Sequence, residues 1–276
     1  MSSEQIEQTQ GLYLDYGYGS HVGLRRELNE DSSVVTDSLF AVADGMGGHE
    51  AGEVASALAV QVLAEQWQRS ERGLTAQDIE RTVREADERI RRETAGRAGT
   101  TLTGAVICGA EGSGGAEGTE DAECAGHTDD AERAGQAEGS DLQWLIFNIG
   151  DSRTYIFQDG ALHQITVDHS QVQELYESGM ITAEERQYHP QRNVVTRAVG
   201  AGETAGPEVF TAPVEAGQRL LICSDGLCGE LEADALADIL GAGRSPQDTV
   251  DWLIHAALRA GGRDNVTVVV VDVRRG

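Results

Sequence analysis

The chain has 276 residues, a size that exceeds the common single domain but fits a large fold built around one core. Its 47 Asp and Glu residues against 21 Lys and Arg residues give a formal net charge of −26 at pH 7. A protein this acidic is repelled by nucleic acid and by anionic membranes unless its basic residues cluster, and the sequence shows no such cluster. We therefore expect neither nucleic acid nor a membrane as a partner.

All of the basic residues are arginine, because the sequence contains no lysine. This excludes chemistry that requires an amine, such as a Walker-type phosphate loop, a pyridoxal Schiff base or a kinase-type ATP lysine. No apolar run approaches the roughly 20 residues that span a bilayer, and the start MSSEQIEQTQ lacks the features of a secretory signal. We expect a soluble, cytoplasmic protein whose four cysteines are reduced thiols.

Two kinds of apolar periodicity occur along the chain. Runs rich in β-branched and aromatic residues predict strands at 39–44, 100–108, 142–150, 153–157, 219–225 and 265–273. Apolar residues at three- and four-residue steps predict helices near 54–62, 79–90 and 250–258. Because strands and helices do not alternate strictly, we predict a mixed α+β sandwich and not a doubly wound fold.

One segment, 110–141, differs in composition from the rest of the chain. It contains no Val, Ile, Leu, Met, Phe, Tyr or Trp, and it carries ten carboxylates against the single Arg133. Such a segment cannot bury enough apolar surface to offset the entropy of ordering it, so we predict a disordered acidic insertion between two neighbouring strands. The alternative is an acidic docking arm.

Acidic residues stand at the ends of several predicted strands, each beside a glycine turn or another polar residue. They are Asp31, Asp44, Asp151, Asp225 and Asp264. A carboxylate inside a strand would be costly to bury, but at strand ends several carboxylates can converge on one edge of a sandwich. Such a group needs a cation, and oxygen ligands without histidine or cysteine favour Mg²⁺ or Mn²⁺ in a two-metal centre.

Eight motifs around these residues occur in a recognisable order. They are GLRRELNEDS (23–32), FAVADGMGGH (40–49), GTTLTGAVI (99–107), NIGDSRTYIF (148–157), ITVDHSQVQEL (165–175), HPQRNVVTRAVG (189–200), LLICSDGL (220–227) and GGRDNVTVVVV (261–271). The series resembles, in order, the bacterial type 2C metal-dependent serine/threonine protein phosphatases. The resemblance extends from about residue 12 to residue 273, and the acidic insertion is its only large interruption.

The resemblance implies both a fold and a domain organisation. The implied fold is a four-layer αββα sandwich, in which two central, mostly antiparallel sheets are flanked by pairs of helices. The implied organisation is a single phosphatase domain over 1–276, with the acidic insertion at 110–141 and a flap subregion at 171–206.

The resemblance also implies a set of metal ligands. Two Mn²⁺ or Mg²⁺ ions in the core site would be held by the carboxylates of Asp31, Asp44, Asp225 and Asp264 and by the carbonyl of Gly45. Asp151, together with Asp225, would hold a weaker third ion. Family members often carry an acid four residues after the metal-binding Asp225, where this chain has Gly229 followed by Glu230. We therefore expect the third position to bind weakly.

Two further residues would act on the substrate. Arg26 matches the arginine that grips the substrate phosphate, and its planar guanidinium suits two phosphate oxygens. The alternative is a surface arginine in a salt bridge with Glu27 or Glu30. His49 is the candidate general acid for the leaving oxygen, with a water on the metal as the alternative donor.

The leading hypothesis is a metal-dependent phosphatase that acts on phosphoserine and phosphothreonine in proteins, through attack on phosphorus by a hydroxide that bridges two metals. Its partners would be phosphorylated proteins, those modified by a serine/threonine kinase, and it would act as a monomer. Two alternatives stay open at this point. One is a metal-dependent phosphatase of small phosphoesters, and the other is a catalytically silent phosphoprotein-binding module.

Overall fold

The computed structural model describes residues 11–47, 51–70, 73–109, 142–202 and 206–276. The acidic insertion predicted at 110–141 and the candidate acid His49 lie outside these described residues. The described part forms two antiparallel β-sheets packed face to face, with helices on both outer faces. No helix of this part is long and apolar enough to cross a membrane.

The sheets combine strands from all parts of the described chain. The strands are Leu12–His21 (β1), Asp31–Val35 (β2), Leu39–Met46 (β3), Gly99–Thr100 (β4), Leu102–Gly109 (β5), Leu142–Ile149 (β6), Arg153–Gln158 (β7), Ala161–Gln164 (β8), Glu208–Pro213 (β9), Arg219–Cys223 (β10) and Val266–Arg275 (β11). Sheet 1 has the order β1-β11-β10-β7-β8. Sheet 2 has the order β2-β3-β5-β6-β9, with β4 paired to β3.

Pairs of helices cover the two sheets. The helices are Ala51–Arg69 (α1), Ala76–Thr94 (α2), Gln171–Glu177 (α3), Ala183–Tyr188 (α4), Asp225–Cys228 (α5), Ala233–Leu240 (α6) and Pro246–Ala260 (α7). Helices α1 and α2 bury one face on sheet 2, whereas α6 and α7 bury one face on sheet 1. Thr75 begins α2 with a capping box that it forms with Asp78.

Strand β10 shows why its sequence, RLLIC, is apolar at almost every position. Leu220 and Ile222 pack in the core between the sheets, whereas Leu221 and Cys223 pack under α6 and α7. Because side chains alternate between the two faces of a strand, a strand covered on both faces needs apolar residues at successive positions. The predicted αββα arrangement of four layers is confirmed.

Helix α1 packs on sheet 2 partly through small residues. Ala55 and Ala59 are fully buried, whereas the larger apolar residue Val54 is 41% exposed. Small side chains allow a helix to approach a sheet closely, and the apolar periodicity of the sequence does not show which of several apolar residues will face inward.

Hydrogen bonds of one arginine link sheet 1 to the helices that cover it. Arg219 on β10 donates two hydrogen bonds to the carboxylate of Asp272 on β11. Its Nη1 donates to the carbonyl of Leu240 at the end of α6 and to Thr249 Oγ1 on α7. Since Arg219 and Asp272 are both buried, this ion pair couples two strands to two helices.

Replacing Arg219 with Ala is expected to lower the free energy of unfolding by about 3 kcal/mol, because the buried carboxylate of Asp272 loses its main partner. Chemical denaturation measures the change. The matched control is Arg92→Ala on the exposed surface of α2, which should change stability by less than about 0.5 kcal/mol. A loss for Arg219→Ala no larger than that of the control would contradict this role.

Candidate metal centre

The aspartates that the sequence singles out lie at one edge, where the two sheets meet. Asp31 and Asp44 lie opposite each other on the paired strands β2 and β3 of sheet 2. Asp225 begins α5 just after β10, and Asp264 lies just before β11, so both come from sheet 1. Asp151 lies in the turn that joins β6 of sheet 2 to β7 of sheet 1. We call this group of side chains the carboxylate edge.

Burial and mutual repulsion raise the pKa values at the carboxylate edge. Burial is the main cause, and it raises the pKa of Asp31 to about 7 and that of Asp151 to about 8. The pKa of Asp44 lies well above its usual range because of burial and of repulsion by Asp31 and Asp225. The pKa of Asp225 is raised by burial and by the charge of Asp264. A bound cation would relieve this repulsion.

Three buried carboxylate oxygens have no hydrogen-bond partner among the described residues. They are Asp31 Oδ1, Asp225 Oδ1 and Glu30 Oε1. Buried polar atoms in folded proteins nearly always have a partner, so these oxygens are available to a ligand. Carboxylate oxygens are the metal ligands that Mg²⁺ and Mn²⁺ prefer. The residues present therefore fit the ions that the sequence predicts.

The carboxylates do not form a closed cage around one cation. Within the part of the chain that the structure describes, no group of three or more Asp, Glu, His or Cys side chains is placed to hold a metal ion by itself.

The threonines of the GTT motif hold the backbone of Asp44. The Asp44 N–H donates to Thr101 Oγ1, and the Thr101 N–H donates to the Asp44 carbonyl, each at 2.9 Å. Thr100 Oγ1 donates to the same carbonyl at 2.9 Å. The motif thus fixes β3 at the point where it carries its aspartate.

A serine of sheet 1 holds the aspartate of sheet 2. Ser224 Oγ donates to Asp31 Oδ2 at 2.8 Å and accepts a hydrogen bond from the Thr267 N–H at 3.0 Å. The contact crosses between the sheets and occupies one oxygen of the carboxylate. The other oxygen, Oδ1, is the one without a partner among the described residues.

Glu30 is a further carboxylate at this edge, which the sequence alone did not assign to the metal site. Burial raises its pKa, and a Cβ on Gly52, near the start of α1, would lie 2.4 Å from its Oε1. Likewise, a Cβ on Gly45 would lie 2.2 Å from the Gly52 carbonyl oxygen. The two glycines therefore let β3, α1 and Glu30 meet. The available signal was its position directly before Asp31 in the motif NEDS.

Arg26 lies beside the carboxylates with half of its side chain exposed. Its Nη2 donates to Asp264 Oδ2 at 2.7 Å. In the described structure its ion-pair partner is this aspartate and neither Glu27 nor Glu30, so the alternative of a salt bridge with those residues is wrong. The guanidinium instead borders the site that the aspartates form.

Asn265 ties the loop that carries Arg26 to the start of β11. Its Nδ2 donates to the carbonyls of Val22 and Leu28 at 2.9 Å, and its Oδ1 accepts from the Glu30 N–H at 2.9 Å. One side chain thus closes both ends of the loop between β1 and β2. The position of Arg26 depends on it.

The predicted third position has two of its expected residues in place. Asp151 and Asp225 line a common cavity. Gly229 also lines this cavity but contributes no side chain, and the carboxylate of Glu230 accepts three hydrogen bonds from Arg263. Because the Glu230 carboxylate binds Arg263, it does not replace the acid that the chain lacks at Gly229.

Comparison with known proteins shows the class to which this fold and site belong. Residues 25–255 match the family described as Protein phosphatase 2C. The serine/threonine phosphatase Stp of Listeria welshimeri is 33% identical over 264 residues, which cover 91% of this chain and 92% of that protein. The serine/threonine protein phosphatase PstP of Mycobacterium tuberculosis is 37% identical over 95% of this chain and 45% of its own length.

Solved structures give the same result. The Mycobacterium tuberculosis phosphatase PstP/Ppp has a TM-score of 0.79 at 35% identity, covering 95% of this chain and 99% of that chain. The PstP catalytic domain in complex with two manganese ions has a TM-score of 0.76 at 33% identity, with the same coverage. The chain therefore belongs to the protein phosphatase 2C family. The resemblance inferred from the eight motifs is confirmed, together with the enzyme class that it implied, a serine/threonine protein phosphatase.

Asn265→Ala removes three hydrogen bonds that hold the loop of Arg26 and leaves the aspartates unchanged. It is expected to lower kcat/KM on a phosphothreonine peptide by about 100-fold, because small misplacements of a positioning group are costly. The matched control is Gln61→Ala, whose amide donates to Glu65 on the surface of α1. Wild-type kcat/KM in a folded Asn265→Ala protein would contradict this role.

The metal-free protein is expected to become less stable as the pH rises from about 4 to about 8. Folding raises the pKa of Asp31 to about 7 and that of Asp151 to about 8, so their protonated forms favour the folded state and this contribution is lost as they ionise. Tm measured with a chelator should fall over this range, and the increase in Tm on adding Mn²⁺ should be largest at the alkaline end.

Two variants identify the source of this pH dependence. Asp31→Asn should reduce it, with Asp151 still contributing, whereas Asp238→Asn, on the exposed surface of α6, should leave it unchanged. A metal-free Tm that is constant or rises with pH would show that the buried carboxylates do not carry the effect.

Proposed function

We propose that the chain removes phosphate from phosphoserine and phosphothreonine in proteins, with two Mn²⁺ or Mg²⁺ ions as its core cofactor. The observation that carries this proposal is the carboxylate edge, where three buried carboxylate oxygens lack partners among the described residues and the half-exposed Arg26 lies beside them. Membership of the protein phosphatase 2C family supports it, as does the relative solved with two manganese ions.

The proposed ligands come from both sheets. The core ions would be held by the carboxylates of Asp31, Asp44, Asp225 and Asp264 and by the carbonyl of Gly45, and a weaker third ion would be held by Asp151 with Asp225. When bound, the ions supply Lewis acidity and a nucleophile for attack on phosphorus.

The chain's own residues bind and orient the substrate. Arg26 donates to two phosphate oxygens, and its positive charge favours the negative charge that develops in the transition state. Asp264 orients the guanidinium through the hydrogen bond at 2.7 Å, and Asn265 holds the loop. The proton that the leaving oxygen requires would come from His49 or from a water on the metal.

The remaining features of the proposal concern the whole protein. The chain acts as one phosphatase domain and as a monomer in the cytoplasm, on proteins phosphorylated by a serine/threonine kinase. Its net charge of −26 keeps copies of the chain apart, which supports the monomer. The presence of the aspartates and Arg26 at one edge disfavours a catalytically silent module, and the protein phosphatases among its relatives disfavour small phosphoesters as the main substrates.

The test is phosphate release from a phosphothreonine peptide. Chelation should reduce turnover to background and Mn²⁺ or Mg²⁺ should restore it, because the nucleophile depends on the bound ions. Asp225→Asn should lower kcat by at least about 100-fold, whereas the exposed Asp238→Asn should not. Activity that survives complete chelation, or an active Asp225→Asn protein, would contradict the proposal.

A further inference from the structure

A cavity of about 400 Å³ opens beside the carboxylate edge. Asp151, Asp225 and Asp264 line it on the side of the proposed metal site, and residues of α3, α4 and the loop after α4 line it elsewhere. Apart from those three aspartates, the charged residues that the structure describes along it are four arginines and three acids. They are Arg153, Arg186, Arg192, Arg263, Asp168, Glu230 and Glu232.

The three acids outside the proposed metal site already have partners. Asp168 is buried and accepts hydrogen bonds from Arg153 Nε and Nη2 at 2.8 and 2.6 Å. Arg186 lies 3.9 Å from the same carboxylate, so it shares a charge that Arg153 already compensates. Glu232 accepts a hydrogen bond from the Gln187 amide at 3.0 Å. Arg186 therefore shares its acidic partner with Arg153, which binds that partner at shorter distances.

The guanidinium of Arg263 is held by Glu230 on one side and is exposed to solvent on the other. Its Nε and Nη2 donate to Oε1 and Oε2 of Glu230 at 2.9 Å, and its backbone N–H donates to Oε1 at 2.8 Å. The Glu230 side chain is 3% exposed and that of Arg263 is 61% exposed. A guanidinium held in this way loses little further entropy when its remaining N–H groups bind a ligand.

Gly229 adds no side chain to the cavity beside this guanidinium. It lines the cavity next to Glu230, and its carbonyl oxygen lies 3.4 Å from Arg263 Nη2. With no side chain here, the chain neither fills this part of the cavity nor adds a negative charge to it. A rigidly held guanidinium that is more than half exposed and borders an open cavity suits an anionic group.

We infer that this cavity is a subsite for an acidic group of the substrate next to the phosphorylated residue, bound by Arg263 and Arg186. The inference rests on the proposed phosphatase function and names its substrate class. The ligand is an oxyanion, either the carboxylate of Asp or Glu or a second phosphorylated side chain. Arg263 is the specificity-determining residue, and Glu230 is a positioning residue that fixes its guanidinium. In a chain with a net charge of −26, such a subsite offsets the repulsion of acidic substrates.

The test compares kcat/KM of the manganese-loaded full chain on matched phosphothreonine peptides. Four kinds of peptide are compared, and they differ only in the residues next to the phosphothreonine. These residues are neutral in the first kind, Asp or Glu in the second and Arg in the third, and they include one phosphoserine in the fourth. The wild-type protein should prefer the acidic peptides to the neutral ones by about tenfold, mainly through KM, because hydrogen bonds between charged groups are among the stronger ones. Equal gains from Glu and phosphoserine indicate recognition of any acidic side chain, and a larger gain from phosphoserine assigns the subsite to a second phosphate.

Variants are compared by kcat/KM on the acidic peptide divided by kcat/KM on the neutral peptide. A loss of activity that affects both peptides equally leaves this ratio unchanged. Arg263→Ala should bring the ratio close to one, and Arg263→Lys should keep part of the preference. Glu230→Gln should reduce the ratio severalfold, because the guanidinium loses its charged anchor. Arg92→Ala, an exposed arginine 3.6 Å from Glu93, is the matched control and should keep the wild-type ratio.

The outcomes separate this inference from the proposed function. A wild-type ratio of one or less on peptides that are hydrolysed would overturn the subsite and leave the phosphatase function intact. The lack of metal-dependent hydrolysis of any peptide would overturn the phosphatase function, and the subsite with it. If Arg263→Ala does not fold, Arg186→Ala provides the same measurement, and an unchanged ratio there would overturn the inference.

Discussion

Repulsion among the buried carboxylates is the constraint on which the rest of this structure depends. Burial and neighbouring negative charges raise the pKa values of Asp31, Asp44, Asp151 and Asp225. A fold can keep such a group together only when other interactions hold each carboxylate in place. The apolar core between the sheets and the hydrogen bonds around the site provide these interactions.

The sandwich architecture explains how the aspartates of the carboxylate edge are brought together. One pair of aspartates comes from adjacent strands of sheet 2, and another comes from the ends of paired strands in sheet 1. The contact between Ser224 and Asp31 joins residues that are 193 positions apart. Because the two sheets pack through a continuous apolar core, the distance between these pairs is set by the packing of side chains far from the site.

The distribution of charge around the site differs from that of the chain as a whole. The chain has a large negative net charge, yet arginines border the proposed metal site on two sides. Arg26 is oriented by Asp264, and Arg263 is oriented by the buried Glu230. In each case a carboxylate fixes a guanidinium that stays at least half exposed, so each arginine can still donate hydrogen bonds to a further group.

The sequence by itself determined the family, the fold class and the aspartates of the site, because ordered motifs and strand-end carboxylates can be recognised from local residues. Only the tertiary structure decided which partners these residues have. In the structure, Arg26 pairs with Asp264, which is 238 positions away. Glu30 lies at the carboxylate edge, and Glu230 forms an ion pair with Arg263. Such contacts depend on strand register and on the packing of distant segments, and hydrophobic periodicity specifies which face of an element is buried but not which residue it will meet there.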